Sequence, residues 1–441
     1  MTPNPTIMQA VEQLDYRATI GDVATHAGLE LDLAERGLLA LASEAGGHLQ
    51  VAETGDIVYQ FPKNFRAILR NKYWQLQWQE TWQKIWRVLF YLIRISFGTI
   101  LIASIVLIFL TIAIILIAAS SSRDDNGGGG SRSGGGGGFV FFPHYWLSDI
   151  WYFFSPNYNT YEPRGRRQKV EQPSPKSNLN FLEAVFSFLF GDGNPNADRE
   201  ERRAQEVGTV IRNHQGAVVA EQIAPYLDDL GNEFARDTED YMLPVLVKFN
   251  GRPEVSPDGQ IVYHFPELQI SAAQRKSQPV PAYFRERLWR FSQASSGQVM
   301  MAIGLGALNF VGALVLGALL RDGAIVAELG GLVAFVNSIY WLLLAYGTAF
   351  LTIPLIRYFW IQWRNRAIDS RNQQRQERVT ILTQAPPHLQ QKLDYARQFA
   401  AETVIGKDDL AYTTETDLAQ QELDRADKID AEWQRRLESG S

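Results

Sequence analysis

The chain has 441 residues and a formal net charge of −6, long enough for two or three domains with cores of their own. It contains no cysteine, which excludes disulfides, thiolate nucleophiles, cysteine-ligated iron-sulfur clusters and cysteine-type zinc sites. Charge is segregated along the chain: residues 1–62 hold nine acidic side chains against Arg17 and Arg36, whereas residues 63–94 hold seven basic ones against Glu80.

Residues 1–62 predict a winged-helix-like domain. IMQAVEQL has apolar residues at helical spacing, Thr19 caps a second short helix that stops at Gly28, and LELDLAERGLLALASEAGG places Leu31, Ala34, Leu38, Leu41 and Ala42 on one side of a third. HLQVAETGDIVYQFP then alternates as a hairpin turning at Thr54-Gly55. No cleavable signal peptide is expected at the start, because no short apolar core follows the first basic residue, Arg17. A winged helix raises the question of DNA, but the third helix carries Glu30, Asp32, Glu35 and Glu44 against Arg36 alone. Phosphates demand a basic footprint, so the expected partner is protein and not nucleic acid.

From Lys63 to Ala119 there is no proline and only one glycine, Gly98, so residues 63–120 read as a helix running into a first transmembrane span. Its start places Trp74, Trp78, Trp82 and Trp86 four apart, a stripe expected at the membrane interface. Trp360 and Trp363 are expected at the interface as well, and a packing ridge of the first stripe against them is the alternative reading. Residues 121–138 have flexible-linker composition.

The aromatic segment 139–155 is apolar but contains Pro143, His144 and Asp149. Basic residues cluster at 63–94, 164–169, 273–290 and 357–378, and the positive-inside rule puts all four clusters on the cytoplasmic or stromal side. That requires 139–155 to return through the membrane or to be re-entrant, making four crossings; three crossings is the alternative. His144 and Asp149 are weak intramembrane polar candidates.

Residues 156–197 read as a linker with a short apolar helix. Asp192, Asn194 and Asn196 have the spacing of a calcium loop, but Ala197 and Arg203 stand where that loop needs Gly and Glu, so a turn with a helix cap is expected and no metal. Residues 198–270 repeat the first domain. TGDIVYQFP (54–62) returns as DGQIVYHFP (258–266), with Gly55, Ile57, Tyr59, Phe61 and Pro62 matched by Gly259, Ile261, Tyr263, Phe265 and Pro266. Ile57, Tyr59 and Phe61 share a strand face, so the repeat predicts duplicated folding units with buried undersides. A basic juxtamembrane segment (271–296) leads to a transmembrane hairpin (297–356), in which Ala302/Gly306 and Ala313/Gly317 permit close helix packing within the hairpin or between copies of the chain. A helical, charged, cytoplasmic tail (357–441) follows.

Catalytic motifs are missing from the sequence. The six histidines share no metal-ligand spacing, and neither a nucleophile elbow, a Walker A loop nor a complete dinucleotide fingerprint occurs. No cofactor and no enzymatic activity are expected.

The run EDYMLPVLVKFNGRPEVSPDGQIVYHFPELQ, with FLEAVFSFLFGDGNPN before it and RNRAIDSRN after the hairpin, resembles a cyanobacterial and chloroplast family of multi-pass membrane proteins of unassigned mechanism. Plant members are sometimes labelled iron-sulfur cluster biosynthesis proteins; with no cysteine this chain departs from a cluster-scaffold role. The resemblance implies a photosynthetic setting, in a cyanobacterial plasma or thylakoid membrane. Fold and pattern together lead to an α-helical membrane protein with two α+β winged-helix-like domains, acting as a scaffold, adaptor or assembly factor for other proteins. A small-solute or ion transporter or channel is the alternative, with Asn309, Asn337 and Tyr340 as the polar residues a pathway would use.

Overall fold

The computed structural model describes residues 4–72, 74–121, 179–231, 238–274, 277–321, 323–406 and 409–439. The Gly-rich stretch 121–138 (but for Ser121), the segment 139–155 with His144 and Asp149, and the Trp74 side chain lie outside what is described. In chain order the elements are α1 (Pro5–Gln13), β1 (Arg17–Thr19), α2 (Ile20–Ala27), α3 (Leu31–Ala45), β2 (His48–Ala52), β3 (Ile57–Gln60), α4 (Phe65–Lys72), α5 (Trp74–Ser121) and α6 (Phe181–Phe190). There follow α7 (Arg199–Asn213), β4 (Ala217–Val218), α8 (Ala220–Ile223), α9 (Leu243–Phe249), β5 (Arg252–Val255), β6 (Ile261–His264), α10 (Pro266–Gln269) and β7 (Ile270–Ser271). The last are α11 (Ser296–Leu320), α12 (Gly323–Leu329), α13 (Gly331–Thr383), α14 (Pro387–Arg397), β8 (Thr403–Val404), β9 (Leu410–Thr413) and α15 (Leu418–Ser439).

Two compact units result. The first comprises residues 1–82, 195–288 and 367–441, the second 83–194 and 289–366. In the first unit the expected cap holds: the Thr19 N–H donates to Asp22 Oδ2 at 3.0 Å, the Asp22 N–H returns to Thr19 Oγ1 at 3.1 Å, and Gly28 ends α2 in the left-handed region. Helix α3 buries Leu31, Ala34, Leu38, Leu41, Ala42 and Ala45, the apolar side read from the sequence plus one further alanine.

The two sheets of this unit repeat one another. Strand β3 lies between β1 and β2, and β6 lies between β4 and β5, all antiparallel. His48 faces Gln60 as Arg252 faces His264, and Val51 faces Ile57 as Val255 faces Ile261. At the hairpin turns Ala52 N–H donates to Asp56 O and Ser256 N–H to Gln260 O, both at 2.8 Å; Gly55 and Gly259 supply the positive φ, 91° and 77°. Ahead of each hairpin a helix ends in the left-handed region, at Gly46 after α3 and at Asn250 after α9. The helices between the repeats differ: α3 has 15 residues and α9 has 7, and α8 stops after one turn at Pro225.

The tail departs from the all-helical expectation. Between α14 and α15 it supplies two short strands: β9 extends the first sheet by pairing with β2, and β8 pairs in parallel with β7. Unpaired strand edges bind strands, and the N–H and C=O groups of β2 recruit β9 despite the tail's polar composition. The outer faces of both sheets are covered as well. Val58 packs with Ala52, Ala272 and Ile405, and Val262 with Val219, Leu389 and Ala396.

The second unit is a helical bundle. Within it lie most of α5, all of α11, and α13 to Arg366, which among the described residues are the three helices long and apolar enough to cross a membrane. Ser104 meets Asn309 and Ile108 meets Gly312, so α5 and α11 run parallel; Phe350 meets Gly306 and Tyr340 meets Gly317, so α13 runs antiparallel to α11. A Cβ at Gly306 or Gly317 would collide with those rings, and Ala302 and Ala313 are fully buried. The small residues at four-residue spacing therefore serve packing inside the chain. Helix α6 completes the bundle, with Phe186 against Phe90 and Phe97 and Phe188 against Phe350.

Candidate functional site

In the first unit the repeated phrase is structural at both copies. Tyr59, Phe61, Tyr263 and Phe265 are buried in one core, and Ile57 and Ile261 pack against it half-buried. Pro62 accepts the Phe65 N–H that opens α4, while Pro266 begins α10. Two glycines outside the quoted phrase belong to the same device. A Cβ on Gly47 would meet the Phe61 ring at 2.9 Å, and one on Gly251 would meet the Phe265 ring and Leu246. The sequence carried this signal, since Gly47 and Gly251 stand at the same distance before Gly55 and Gly259. The tyrosines have diverged: Tyr263 donates its hydroxyl to Glu239 at 2.8 Å, and burial, reinforced by Glu239, pushes its phenol up. Burial and the nearby Glu35 raise Tyr59.

The seam between the two repeats is built on Asp22, which no motif singled out. Its fully buried carboxylate accepts from Arg212 at 2.6 Å, from the Ala272 N–H at 3.1 Å and from Thr19. Arg212 also donates to the Ile270 carbonyl. Gly21 and Gly208 allow α2 to approach the second repeat: a Cβ on Gly21 would strike the Glu267 carbonyl, and one on Gly208 would press on Thr25 at 3.0 Å. Beside the seam opens a cleft of about 440 Å³, lined by Asp22, Thr25, Glu206, Arg212, Gln269 and Pro281 among others. Arg212 is committed to Asp22, and Glu206 has one buried carboxylate oxygen without a hydrogen-bond partner among the described residues, which burial drives toward the neutral form.

A second polar centre fixes the basic run after the hairpin. Arg371, Arg375 and Arg378 recur at three- and four-residue spacing on one face of α13. Arg371 grips Glu286 with two bonds of 2.8 and 2.7 Å, and Arg375 reaches Glu286 at 2.8 Å and also Asp228. Arg378 donates to the carbonyls of Ala224 and Leu227. Burial acts to raise the Glu286 carboxyl, but the bonds and charges of Arg371 and Arg375 outweigh it and hold the group down at about 2. Lys392, nearly buried on α14, similarly engages Glu221 and Glu239. These groups attach the tail to the second repeat, a role that a reading of net charge alone does not reveal.

What remains outward is the other side of α3. Glu30, Asp32, Glu35, Arg36 and Ser43 are exposed, with Leu33 and Leu39 about half-exposed on its flanks. Arg36 lies 3.9 Å from Asp32, so this face presents acidic charge.

In the second unit Trp86 is exposed on α5, as Trp78 and Trp82 are on the part of that helix assigned to the first. Trp363 is exposed on α13, and Trp360 stacks edge-on against Trp289 at 5.3 Å with Arg364 over both rings. Asp192 bonds Arg94 at 2.7 Å, Ser187 at 2.6 Å and the Gln293 N–H at 2.9 Å, while Asn196, in the first unit, brackets the backbone of Arg287. Asp192 and Asn196 are thus engaged in hydrogen bonds to residues distant in sequence. Asn309 is buried and donates to Ser104, Tyr340 lies against Gly317, and Asn337 is exposed.

The chain is 38% identical over 442 aligned residues to "Uncharacterized protein At5g03900, chloroplastic" of Arabidopsis thaliana, covering 98% of this chain and 81% of that protein. No protein-family model matches the chain, and no solved structure matches it. The fold places it in a class of largely helical proteins, with three long apolar helices and small antiparallel sheets among the described residues. The chain belongs to the family of that chloroplastic plant protein.

Proposed function

We propose that the protein is a multi-pass membrane scaffold or assembly factor that docks other proteins through two winged-helix-like lobes at a photosynthetic-type membrane. The observation that carries this reading is the fate of the surfaces a winged helix uses for DNA. The outward side of α3 is acidic, and the edge of wing strand β2 is occupied by β9. A phosphate backbone would be repelled there, whereas a basic protein surface would be attracted. Buried Tyr59, Phe61, Tyr263 and Phe265 give the repeat a folding role, which supports duplication of a platform and not of a reaction centre.

The bilayer reading rests on the lengths and apolar composition of α5, α11 and α13 and on the chloroplastic relative. Charge supports its orientation. The end of the bundle formed by the starts of α5 and α11 and the later part of α13 exposes Lys84, Arg87, Arg290, Arg364 and Arg366, and the opposite end exposes Arg321 and Glu328 among the described residues. The basic end belongs on the cytoplasmic or stromal side.

Affinity isolation of the full chain from native membranes, followed by mass spectrometry, tests the proposal. A reproducible protein partner is expected, lost when Glu30→Lys, Asp32→Lys and Glu35→Lys are combined. Recovery of no partner together with ion flux in liposomes would instead support transport.

A further inference from the structure

Lys84, Arg87, Arg290, Arg364 and Arg366 are exposed at one end of the second unit, and among the described residues none of them has a carboxylate partner. The other cations nearby are committed: Arg94 pairs with Asp192, and Arg357 donates to the carbonyls of Ser187, Phe188 and Phe291. Of the unit's described acids, Asp192 is consumed by Arg94, Glu183 is held in the capping box of α6, and Glu328 sits on α12 at the opposite end. Among the described residues this cationic rim has no carboxylate of its own, so it is open to an anion from outside.

Aromatic rings are interleaved with that rim. Arg364 lies 5.1 Å from the ring centres of both Trp289 and Trp360, and Asn365 fixes Trp289 by bonding its N–H at 2.8 Å and its C=O at 2.9 Å. Stacking on two indoles holds a guanidinium in place while its edge donors stay available, which suits a planar or tetrahedral oxyanion. Trp363 and Trp86 are exposed beside these charges, the placement indoles favour at headgroup depth.

We propose that this Arg–Trp rim is a binding surface for anionic lipid headgroups, with Arg290, Arg364 and Arg366 as its principal contacts. The inference rests on the bilayer reading above and adds a lipid preference to it. The occupant is a lipid and not a soluble anion, because the basic groups border apolar helix surface that only acyl chains would cover: Leu355, Ile356 and Phe359 are all more than half exposed on the turns preceding Trp360. The contacts are charge-assisted bonds to phosphate or sulfonate oxygens.

The test uses the full chain reconstituted into bilayers of phosphatidylcholine mixed with phosphatidylglycerol, followed by detergent extraction and mass spectrometry of the lipid retained. Phosphatidylglycerol should be enriched over its bulk share, and Arg290→Gln, Arg364→Gln and Arg366→Gln together should lower the relative affinity for it on the order of a hundredfold, roughly fivefold per charge, bringing retention to the bulk ratio. Arg364→Lys, which keeps the charge but loses the stacked guanidinium, should retain only part of it. High salt should weaken the enrichment in the unaltered chain, a readout that needs no variant to fold. Retention at the bulk ratio, or enrichment indifferent to salt, would overturn the proposal. Failure of the chain to remain in either bilayer after an alkaline wash would instead overturn the membrane reading.

Discussion

Arg375 and Glu286, 1% and 2% exposed at their side chains, form an ion pair 2.8 Å long in the interior of the first unit. Arg375 lies 89 residues along the chain from its partner and also engages Asp228. Arg375→Met leaves Glu286 to Arg371 and Asp228 to Arg203, so it should cost less than the about 3–5 kcal/mol of a fully stranded buried charge. Thermal unfolding of the detergent-solubilised protein measures it, and adding Glu286→Leu to the same chain should recover much of the loss.

The same pair sets an acid limit. Glu286 is held at about 2 against an ordinary 4.5, so its contribution is complete above 4.5 and disappears as pH falls toward 2. The shift corresponds to about 3 kcal/mol as an upper bound. The melting temperature of the unaltered protein should fall below about pH 4.5, and the Arg375→Met, Glu286→Leu chain should show a shallower decline.

Glu206 works with the opposite sign. Burial raises its carboxyl, so the folded state is penalised as pH rises through the raised value, and no penalty exists below the ordinary one. Glu206→Gln should stabilise the protein at neutral pH by about 1 kcal/mol and lose that advantage in acid. A melting temperature unchanged or lowered at neutral pH would show that the carboxylate is favourably held.

The glycines of the repeat divide by mechanism. Gly47→Ala and Gly251→Ala force a Cβ into the Phe61 and Phe265 rings and should each destabilise by about 1–3 kcal/mol. Gly55→Ala and Gly259→Ala meet no atoms but require a positive φ, so their cost should be nearer 1 kcal/mol. Urea denaturation of the four variants separates the two classes.

Much of the first repeat was legible because its signals are local. The Thr19 cap, the Gly28 stop and the period of Leu31, Leu38 and Leu41 each determine a nearby conformation. The second repeat was legible through its hairpin, while α8 and α9 are too short for periodicity to outline. Strands β8 and β9 were not legible: two and four residues cannot display an alternating pattern, and their partners β7 and β2 are distant in sequence. Charge misled in one respect. Arg371, Arg375 and Arg378 counted as juxtamembrane cations, yet the fold commits them to Glu286, Asp228 and backbone carbonyls, whereas Arg290, Arg364 and Arg366 remain exposed. Only the three- and four-residue spacing hinted at a buried face.

The absence of cysteine makes the central claim directly measurable, since any introduced thiol is the only one in the chain. Glu53→Cys in the first lobe, Asp258→Cys in the second and Glu328→Cys on α12 place single labels at exposed positions. In sealed membrane vesicles of known orientation, a membrane-impermeant maleimide should reach residues 53 and 258 from the cytoplasmic or stromal side and residue 328 only from the other. Labelling of residue 258 from the same side as residue 328 would contradict the account.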